Sequence, residues 1–162
     1  MIARPVIIPI GPSIAYVPLT RGQFSLIDAE DAERVGCFNW CSYWNKRTES
    51  FYAVRYGNVR LHRFVLQVGI NLIHDHVNGR TLDNRKANLR AATATQNAYN
   101  RRLRRDNASG LKGVSLEGRR YVSRIKIRGK SVRLGLYDTA SAAHAAYCEA
   151  ARNHHGEFAR LA

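Results

Sequence analysis

The stretch YVSRIKIRGKSVRL, Tyr121–Leu134, decides the fold of the C-terminal third of this 162-residue chain. Apolar and basic side chains alternate along its first half, which is the period of a β-strand. Arg128-Gly129-Lys130 then supplies a turn, because glycine adopts positive φ at little cost. The stretch therefore predicts a hairpin with one aliphatic and one basic face. The aliphatic face is assigned Tyr121, Ser123, Ile125, Ile127, Val132 and Leu134, and the opposite face Val122, Arg124, Lys126, Arg128, Ser131 and Arg133.

A helix is predicted directly after this hairpin. Asp138 or Thr139 can cap its start, and Gly156 can end it. Small side chains recur at helical spacing and allow the helix to lie close on the aliphatic face. The C-terminal part is therefore predicted to be a three-stranded antiparallel sheet packed on one helix. The recurring residues are Ala142, Ala143, Ala146, Tyr147, Ala150 and Ala151.

The charge of the chain is large and uneven. The formal net charge is +14, of which residues 1–59 hold +1 and residues 60–162 hold +13. Such an excess points to a polyanionic partner. A membrane surface would require an amphipathic helix with a basic side, and the sequence contains none. We therefore expect double-stranded DNA as the partner and no membrane.

The basic face of the hairpin admits two interpretations. Charged residues commonly lie on the solvent side of a sheet. Here, however, the basic residues have no interspersed carboxylate, so their mutual repulsion favours an anionic partner. They are Arg124, Lys126, Arg128 and Arg133. A β-sheet can present such residues to the major groove, and we favour DNA contact.

The N-terminal part alternates short β-like segments with turns, which predicts a small α+β unit dominated by an antiparallel sheet. Its aromatic residues Trp40, Tyr43, Trp44, Phe51 and Tyr52 suit either a hydrophobic core or a base-stacking surface, and we favour the core. The predicted strands are Ala15–Leu19, Phe24–Asp28, Phe38–Trp44, Phe51–Tyr56 and Val59–Leu61, and the predicted helices are Asp28–Val35 and Leu61–Val68.

The three cysteines and the N-terminal sequence are informative about the cellular compartment of the protein. Cys37 and Cys41 lack a second Cys/His pair at zinc-finger spacing, so we expect reduced, mostly buried thiols. The apolar start of the chain is short and is interrupted by Pro5 and Pro9, which argues against a secretory signal. These features predict a cytoplasmic protein.

The segment HDHVNGRTLDNRKANLR, His74–Arg90, is the candidate site for chemistry. Strands at 72–77 and 88–92 flank a polar loop that begins with Asn78-Gly79, and a short helix at 93–100 follows with Thr93 as its cap. Histidine is the natural general base at neutral pH, and Mg²⁺ needs only one or two protein oxygens beside phosphate and water. Alternation along a strand would point Asp75 away from His74 and His76 unless the backbone there is irregular or a strand end.

The run DHVNGRTLDNRKANLRAATATQNAYN resembles the HNH nuclease motif in the form found in phage homing endonucleases. The resemblance assigns His76 as the general base and Asn88 as the asparagine that holds the ββα-metal loop. It assigns Asp75 and Asn97 as ligands of one Mg²⁺ or Mn²⁺ ion. His62-Arg63 matches a preceding His-Arg pair with a supporting or DNA-backbone role, and His74 falls outside the motif.

The segment SGLKGVSLEGRRYVSRIKIRGKSVRLGLYDTASAAHAAYCEAARNHHGEFARL is similar to the Apetala-two (ethylene-response-factor) DNA-binding domain, which lays its sheet in the major groove. Tyr121 stands where that family usually has Trp, and the groove residues differ, so the plant target sequence does not carry over. The predicted DNA contacts are Arg63, Arg85, Arg101, Arg102, Arg104, Arg105, Lys112, Ser115, Arg124, Lys126, Ser131 and Arg133.

Together these features predict an α+β protein with an HNH nuclease domain at 1–100 and its ββα-metal motif at about 72–100. A basic linker at 101–108 and a DNA-binding domain at 109–162 follow. The expected function is site-specific DNA cleavage of the homing type, by a phage or bacterial protein that acts as a nickase if monomeric. A transcription regulator with an inactive HNH unit and a non-specific HNH nuclease are the alternatives.

Overall fold

The computed structural model describes residues 4–9, 11, 13–69 and 71–161. The chain has mixed α/β structure with small antiparallel sheets and few helices, as predicted. It divides into two compact units, Met1–Ala91 and Ala92–Ala162. The apolar start of the sequence falls partly outside the described residues. Across the described ranges, no helix is both long and apolar enough to span a bilayer.

The first unit contains two small antiparallel sheets and part of a third, two-stranded one. Strands β1 and β2 pair with each other, β3–β4–β5 form a sheet in that order, and β6 pairs with β7. Each segment predicted as a strand or helix contains one, with bounds shifted by a few residues. The elements are β1 (Ile14–Pro18), β2 (Phe24–Asp28), α1 (Ala32–Gly36) after a 3-10 turn (Ala29–Asp31), β3 (Cys41–Asn45), β4 (Ser50–Arg55), β5 (Val59–Arg60), α2 (Leu61–Val65), β6 (Ile73–His76) and β7 (Leu89–Ala92).

The core of the first unit gathers apolar side chains from β1, β2, α1 and α2 around Trp40. The Trp40 indole donates its N–H to the Val35 carbonyl at 3.0 Å, so its polar atom is satisfied within the core. The core prediction for the other aromatics is only partly correct. Tyr43 and Trp44 are 50% and 41% exposed, because β3 is the edge strand of its sheet.

The cysteines are free thiols, as expected, but the prediction that they are mostly buried is wrong for two of them. Cys37 and Cys41 are exposed, and Cys148 is half-buried. Cys37 directly follows α1, and Cys41 begins the edge strand β3, so neither faces the core.

The second unit is a three-stranded antiparallel sheet, ordered β10–β9–β8, with one long helix packed on it, as predicted. Arg128 and Gly129 have φ values of +48° and +83°, which makes the predicted turn a two-residue hairpin loop. Thr139 accepts the Ala142 N–H at 3.2 Å as the helix cap, and Gly156 ends the helix with φ +54°. The elements are α3 (Ala94–Tyr99), β8 (Val114–Glu117), β9 (Arg120–Ile127), β10 (Lys130–Tyr137) and α4 (Ala140–His155), followed by a 3-10 turn (Gly156–Phe158).

Helix α4 contributes Tyr147 and Ala151 to a core that includes Ile125 of the sheet. Gly113 permits this close approach, since a Cβ built there would lie 2.1 Å from the Tyr147 ring. The register places two valines on their predicted faces, but their exposure differs from what those faces suggest. Val132, predicted on the packed face, is 39% exposed because β10 is an edge strand. Val122, predicted on the basic face, is fully buried, although the register does place it on that side.

Helix α3 is anchored within the second unit. The Tyr99 ring stacks on the His155 ring of α4 at 3.6 Å between centroids and 9° between planes. The Tyr99 hydroxyl accepts the Arg128 N–H at 3.1 Å, and Lys112 Nζ donates to the Tyr99 carbonyl at 2.9 Å. The short helix is therefore held by both the sheet and the long helix of its unit.

Candidate active site and nucleic-acid interface

Strand β6 carries two buried polar residues in succession, Asp75 and His76, with 5% and 6% of their surfaces exposed. His76 ends the strand, and its side chain contacts Asn84. Asp75 forms an ion pair with Arg90 of β7. The Nε and Nη2 atoms of Arg90 lie 2.9 Å and 2.8 Å, respectively, from Oδ2 of Asp75. The two neighbouring side chains thus have different hydrogen-bond partners, and His76 is the last residue of the strand.

Three histidine rings lie together beside this strand end. The centroid of the buried His62 ring is 5.2 Å from that of His76 and 5.3 Å from that of His74. The Tyr52 ring lies 5.9 Å from His62 and 6.5 Å from His76. His74, which the motif left out, donates from Nε2 to the Leu66 carbonyl at 2.6 Å.

The histidine cluster favours neutral rings. Burial, followed by the proximity of His76, lowers the pKa of His62 to about 2. Burial also lowers the pKa of His76, although the Asn84 hydrogen bond and the carboxylates of Asp75 and Asp83 partly offset it. His76 is therefore neutral near pH 7, which is the form of imidazole that accepts a proton.

Asn88 braces the loop that follows β6 with both ends of its amide. Its Oδ1 accepts the Asn78 N–H at 2.9 Å, and its Nδ2 donates to the Asp83 carbonyl at 2.7 Å. The main chain adds a bond from the Val77 N–H to the Asn88 carbonyl at 2.9 Å. These bonds hold the loop to Asn88 at Asn78, Asp83 and Val77.

Asp83 is a further buried charge in this loop. Arg85 donates to both of its carboxylate oxygens at 2.7 Å, and Asn78 Nδ2 donates to Oδ2 at 2.9 Å. These hydrogen bonds, from Arg85 first, hold the pKa of Asp83 below its usual value. Arg85, predicted as a DNA contact, is thus engaged with Asp83 while its side chain stays 39% exposed.

Sequence reasoning missed Asn84, the direct partner of His76. The side chain of Asn84 is 1% exposed, with its Oδ1 3.2 Å from His76 Nε2 and its Nδ2 2.7 Å from Ser25 Oγ. Ser25 lies 59 residues earlier in the chain. No local pattern in the sequence relates the two residues, so the pairing emerges only from the fold.

Asn97 lies on α3 and is half-buried. The helix begins at the predicted cap, where Thr93 accepts the Gln96 N–H at 3.2 Å and Gln96 returns a bond to the Thr93 N–H. Asp75 and His76 belong to the first unit, whereas Asn97 belongs to the second.

The types of side chain that are available as ligands indicate which metal ions the described residues suit. Among the residues that the structure describes, no group of three or more His, Cys, Asp or Glu side chains is arranged to hold a metal ion. A closed zinc cage of such ligands is therefore not formed there. Carboxylate and amide oxygens are the protein ligands that a hard cation such as Mg²⁺ takes beside water and phosphate.

The outward face of the β8–β9–β10 sheet carries the predicted groove contacts, and all of them are exposed. The expectation that this face lacks a carboxylate is wrong. Glu117 on β8 accepts hydrogen bonds from Arg124 Nη2 at 3.0 Å and from Arg133 Nη2 at 3.1 Å. Glu117 precedes the hairpin in sequence, and strand pairing brings it onto this face. The exposed residues are Ser115, Arg124, Lys126, Ser131 and Arg133.

The remaining predicted DNA contacts differ in their surroundings. Arg104 pairs with Asp106 at 2.6 Å, with both side chains largely exposed. Lys112 Nζ donates to the carbonyls of Tyr99 and Arg101, and burial lowers the pKa of Lys112 to about 8. Lys112 therefore has a structural role in the second unit. The other predicted contacts, all exposed, are Arg63, Arg101, Arg102 and Arg105.

Comparison with known proteins gives one informative similarity. The chain is 31% identical over 113 residues to an uncharacterized HNH endonuclease of Acanthamoeba polyphaga mimivirus. The match covers 63% of this chain and 56% of the viral protein, so the chain spans about half the length of that relative. No family model matches the chain, and no solved structure matches it.

Proposed function

We propose that this chain is an HNH-type DNA endonuclease in which His76 is the general base. The observation that carries the proposal is the neutral, buried His76 ring at the end of the strand that also carries Asp75, followed by a loop that Asn88 braces. The similarity to a viral HNH endonuclease supports it. The net charge of +14 fits a polyanionic substrate.

In this proposal Asp75 and Asn97 provide the protein oxygens for one Mg²⁺ or Mn²⁺ ion. Their assignment to a shared ion rests on the resemblance of the sequence to the HNH motif. When bound, such an ion would neutralise charge on the scissile phosphate and on the departing 3′ oxygen. Asp75 would need to exchange some of its contact with Arg90, which would then be available to the phosphate.

The chemical step assigned to His76 is removal of a proton from the attacking water. The water oxygen forms a bond to phosphorus, and the water proton moves to the neutral imidazole. The bond from phosphorus to the 3′ oxygen breaks, and that oxygen leaves with the electron pair and takes a proton from solvent. The products are a 5′ phosphate and a 3′ hydroxyl.

The second unit is proposed to dock the enzyme on its target. Its exposed sheet face, resembling the Apetala-two type, would contact the major groove, and residues 101–108 would follow the DNA backbone. One site per chain makes nicking by a monomer the expected activity, and a double-strand break would require two chains or two sequential cuts. Site-specific cleavage of the homing type by a cytoplasmic, phage-encoded or bacterial protein completes the proposal.

Cleavage of a supercoiled plasmid pool with randomised inserts tests this function. We expect the wild type with Mg²⁺ to produce nicked or linear DNA, and EDTA to abolish it. His76→Ala should be inactive, whereas His154→Ala, a matched change at an exposed histidine of α4, should retain activity. Equal cleavage by wild type and His76→Ala would remove His76 from its role. Sequenced ends without a shared site would indicate a non-specific nuclease.

One observation favours a second candidate, a DNA-binding regulator with an inactive HNH unit. The Asp75 carboxylate is already paired with Arg90, as expected of a structural ion pair. In that case the chain would bind DNA without cutting any member of the plasmid pool under any divalent cation. Binding without cleavage, measured on the same pool, would establish this alternative.

A further inference from the structure

The His76 ring is hydrogen-bonded to a series of polar groups within the first unit, namely the Asn84 amide, the Ser25 hydroxyl and the Leu82 carbonyl. The Ser25 hydroxyl lies 2.8 Å from the Leu82 carbonyl, Asn84 Nδ2 lies 2.7 Å from Ser25 Oγ, and Asn84 Oδ1 lies 3.2 Å from His76 Nε2. Ser25 and Asn84 are 0% and 1% exposed, so water does not compete for these bonds.

The direction of each bond in this series follows from proton counting. A serine hydroxyl has one proton, and that of Ser25 is given to the Leu82 carbonyl, which accepts but cannot donate. Ser25 Oγ must therefore accept from the amide of Asn84, which turns the Asn84 NH₂ group toward Ser25. The amide oxygen then faces His76 and can only accept.

Hydrogen bonds of the backbone also hold Asn84 and Ser25 next to each other. The Asn84 N–H donates to the Leu26 carbonyl at 2.8 Å, and the Leu26 N–H donates to the Leu82 carbonyl at 2.8 Å. These bonds fasten the loop to β2, the strand that carries Ser25. The Asn84 side chain consequently starts from a fixed backbone position and reaches the imidazole from one direction.

We propose that Asn84, oriented by Ser25, is a positioning residue that fixes His76 in the tautomer with the proton on Nε2. The lone pair of the neutral ring is then on Nδ1, which becomes the nitrogen that accepts the water proton. This inference rests on the proposed function for its catalytic consequence, but the tautomer itself is a property of the folded protein. The His62 ring, 5.2 Å away and nearly perpendicular, packs against the imidazole that the amide orients.

Histidine-selective ¹⁵N NMR of the whole chain tests the tautomer without any substrate. The His76 signals are identified by their absence in His76→Ala. We expect the wild-type ring at pH 8 to show the pattern of a protonated Nε2 and an unprotonated Nδ1. A protonated Nδ1, or an even mixture of the two tautomers, would overturn the proposal whether or not the protein cleaves DNA.

Ser25→Ala tests the orienting role with a minimal change in volume. The variant frees the Asn84 amide to flip, so we expect mixed His76 tautomers and a fall in kcat of about 10-fold to 100-fold with little change in KM. Ser123→Ala is the matched control, because Ser123 is also 0% exposed but its hydroxyl has no hydrogen-bond partner among the described residues. A Ser25→Ala variant with wild-type tautomer and kcat would overturn the role of Ser25.

Asn84→Leu removes the acceptor, and Asn84→Asp keeps an oxygen toward His76 should the leucine variant not fold. We expect the leucine variant to lose the single tautomer and most of kcat, and the aspartate variant to retain the protonated Nε2. Loss of the Nε2 proton in Asn84→Asp would contradict the inference. If the wild type shows the expected tautomer but never cleaves DNA, the proposed function fails and the positioning of His76 by Asn84 stands.

Discussion

The two units use polar residues in opposite ways. The first unit buries ionisable and amide side chains, including His62, Asp75, His76, Asp83 and Asn84, and gives them partners inside the fold. The second unit buries mainly aliphatic and aromatic side chains with fewer polar ones, and it leaves most of its arginines and lysines exposed, Lys112 and Arg160 being half-buried. Burying a polar group costs free energy of folding unless its hydrogen bonds are formed inside the protein, so each of these side chains needs partners within the fold.

Under the proposed function, this contrast would correspond to two kinds of task within one basic chain. A buried network fixes the orientation and protonation of a few groups, which chemistry requires. An exposed basic face attracts phosphate over a distance and adapts to it, which docking requires. The following predictions test this contrast, beginning with the largest expected effect.

The largest effect is expected from breaking the buried ion pair of the first unit. Arg90→Ala leaves the Asp75 carboxylate without that partner, and removal of one member of a buried pair costs about 3–5 kcal/mol of unfolding free energy. Arg104→Ala breaks the exposed Arg104–Asp106 pair and should cost less than about 1 kcal/mol. Urea denaturation measures both variants. Similar losses for the two would contradict the contrast between the units.

Acid should destabilise the first unit more than the second. The pKa of His62 is about 2 in the folded protein and near 6.5 when unfolded, so between these values only the unfolded chain binds the proton. The free energy of unfolding therefore decreases as the pH is lowered from 6.5, by roughly 1 kcal/mol per pH unit for His62 alone. The lowered pKa values of His74 and His76 act in the same direction. In the second unit, the lowered pKa of His155 has this effect.

Hydrogen exchange at pH 7.5 and pH 5 resolves this acid effect by region. We expect amides of the first unit to lose protection more than those of the second at pH 5. Replacing His62 with glutamine should flatten the pH dependence, even if the variant is less stable at every pH. Equal loss of protection in the two units would refute the assignment of acid sensitivity to the histidine cluster.

In the second unit, packing should be the sensitive property. Gly113→Ala places a Cβ 2.1 Å from the Tyr147 ring, so we expect overpacking to cost about 1–3 kcal/mol beyond the backbone strain at φ +78°. Gly118→Ala has a similar φ of +64° with open space around the new Cβ, and it isolates the strain. Thermal unfolding compares the two variants. Equal shifts in Tm would show that the approach of Tyr147 does not limit this position.

The smallest effect is expected on the basic face. Glu117→Ala removes the carboxylate that binds Arg124 and Arg133, so affinity for duplex DNA should rise about two-fold to five-fold at low salt. Fluorescence anisotropy at two salt concentrations measures the change and its decrease with salt. A loss of affinity would mean that Glu117 orients these arginines for binding, and the face would then resemble the ordered network of the first unit.

Much of the secondary structure was predictable because its causes are local. The Arg128-Gly129 loop, the Thr93 and Thr139 caps and the alternation through β9 each depend on residues within a few positions. The bracing of the loop by Asn88 was likewise suggested by the motif around it.

The unpredicted features depend on contacts between distant segments. The bond from Asn84 to Ser25 joins positions 59 residues apart, and Glu117 reaches Arg133 only because β8 and β10 flank β9. The exposure of Tyr43 and Trp44 follows from the edge position of β3, which composition does not reveal. The roles of Asp75 and Asn97 toward a metal remain predictions from the motif.

The stacking of Tyr99 on His155 has a consequence for protein engineering. A fragment that ends in the basic linker at 101–108 would keep α3. It would lose the His155 ring that stacks on Tyr99 and the Lys112 ammonium that binds the last turn of α3. A chimera that combines this chain with a similar protein is therefore best joined just before α3, near Ala91 and Ala92. Chimeras joined there would contain both α3 and the α4 helix that supports it, whereas a junction in the basic linker at 101–108 would separate them.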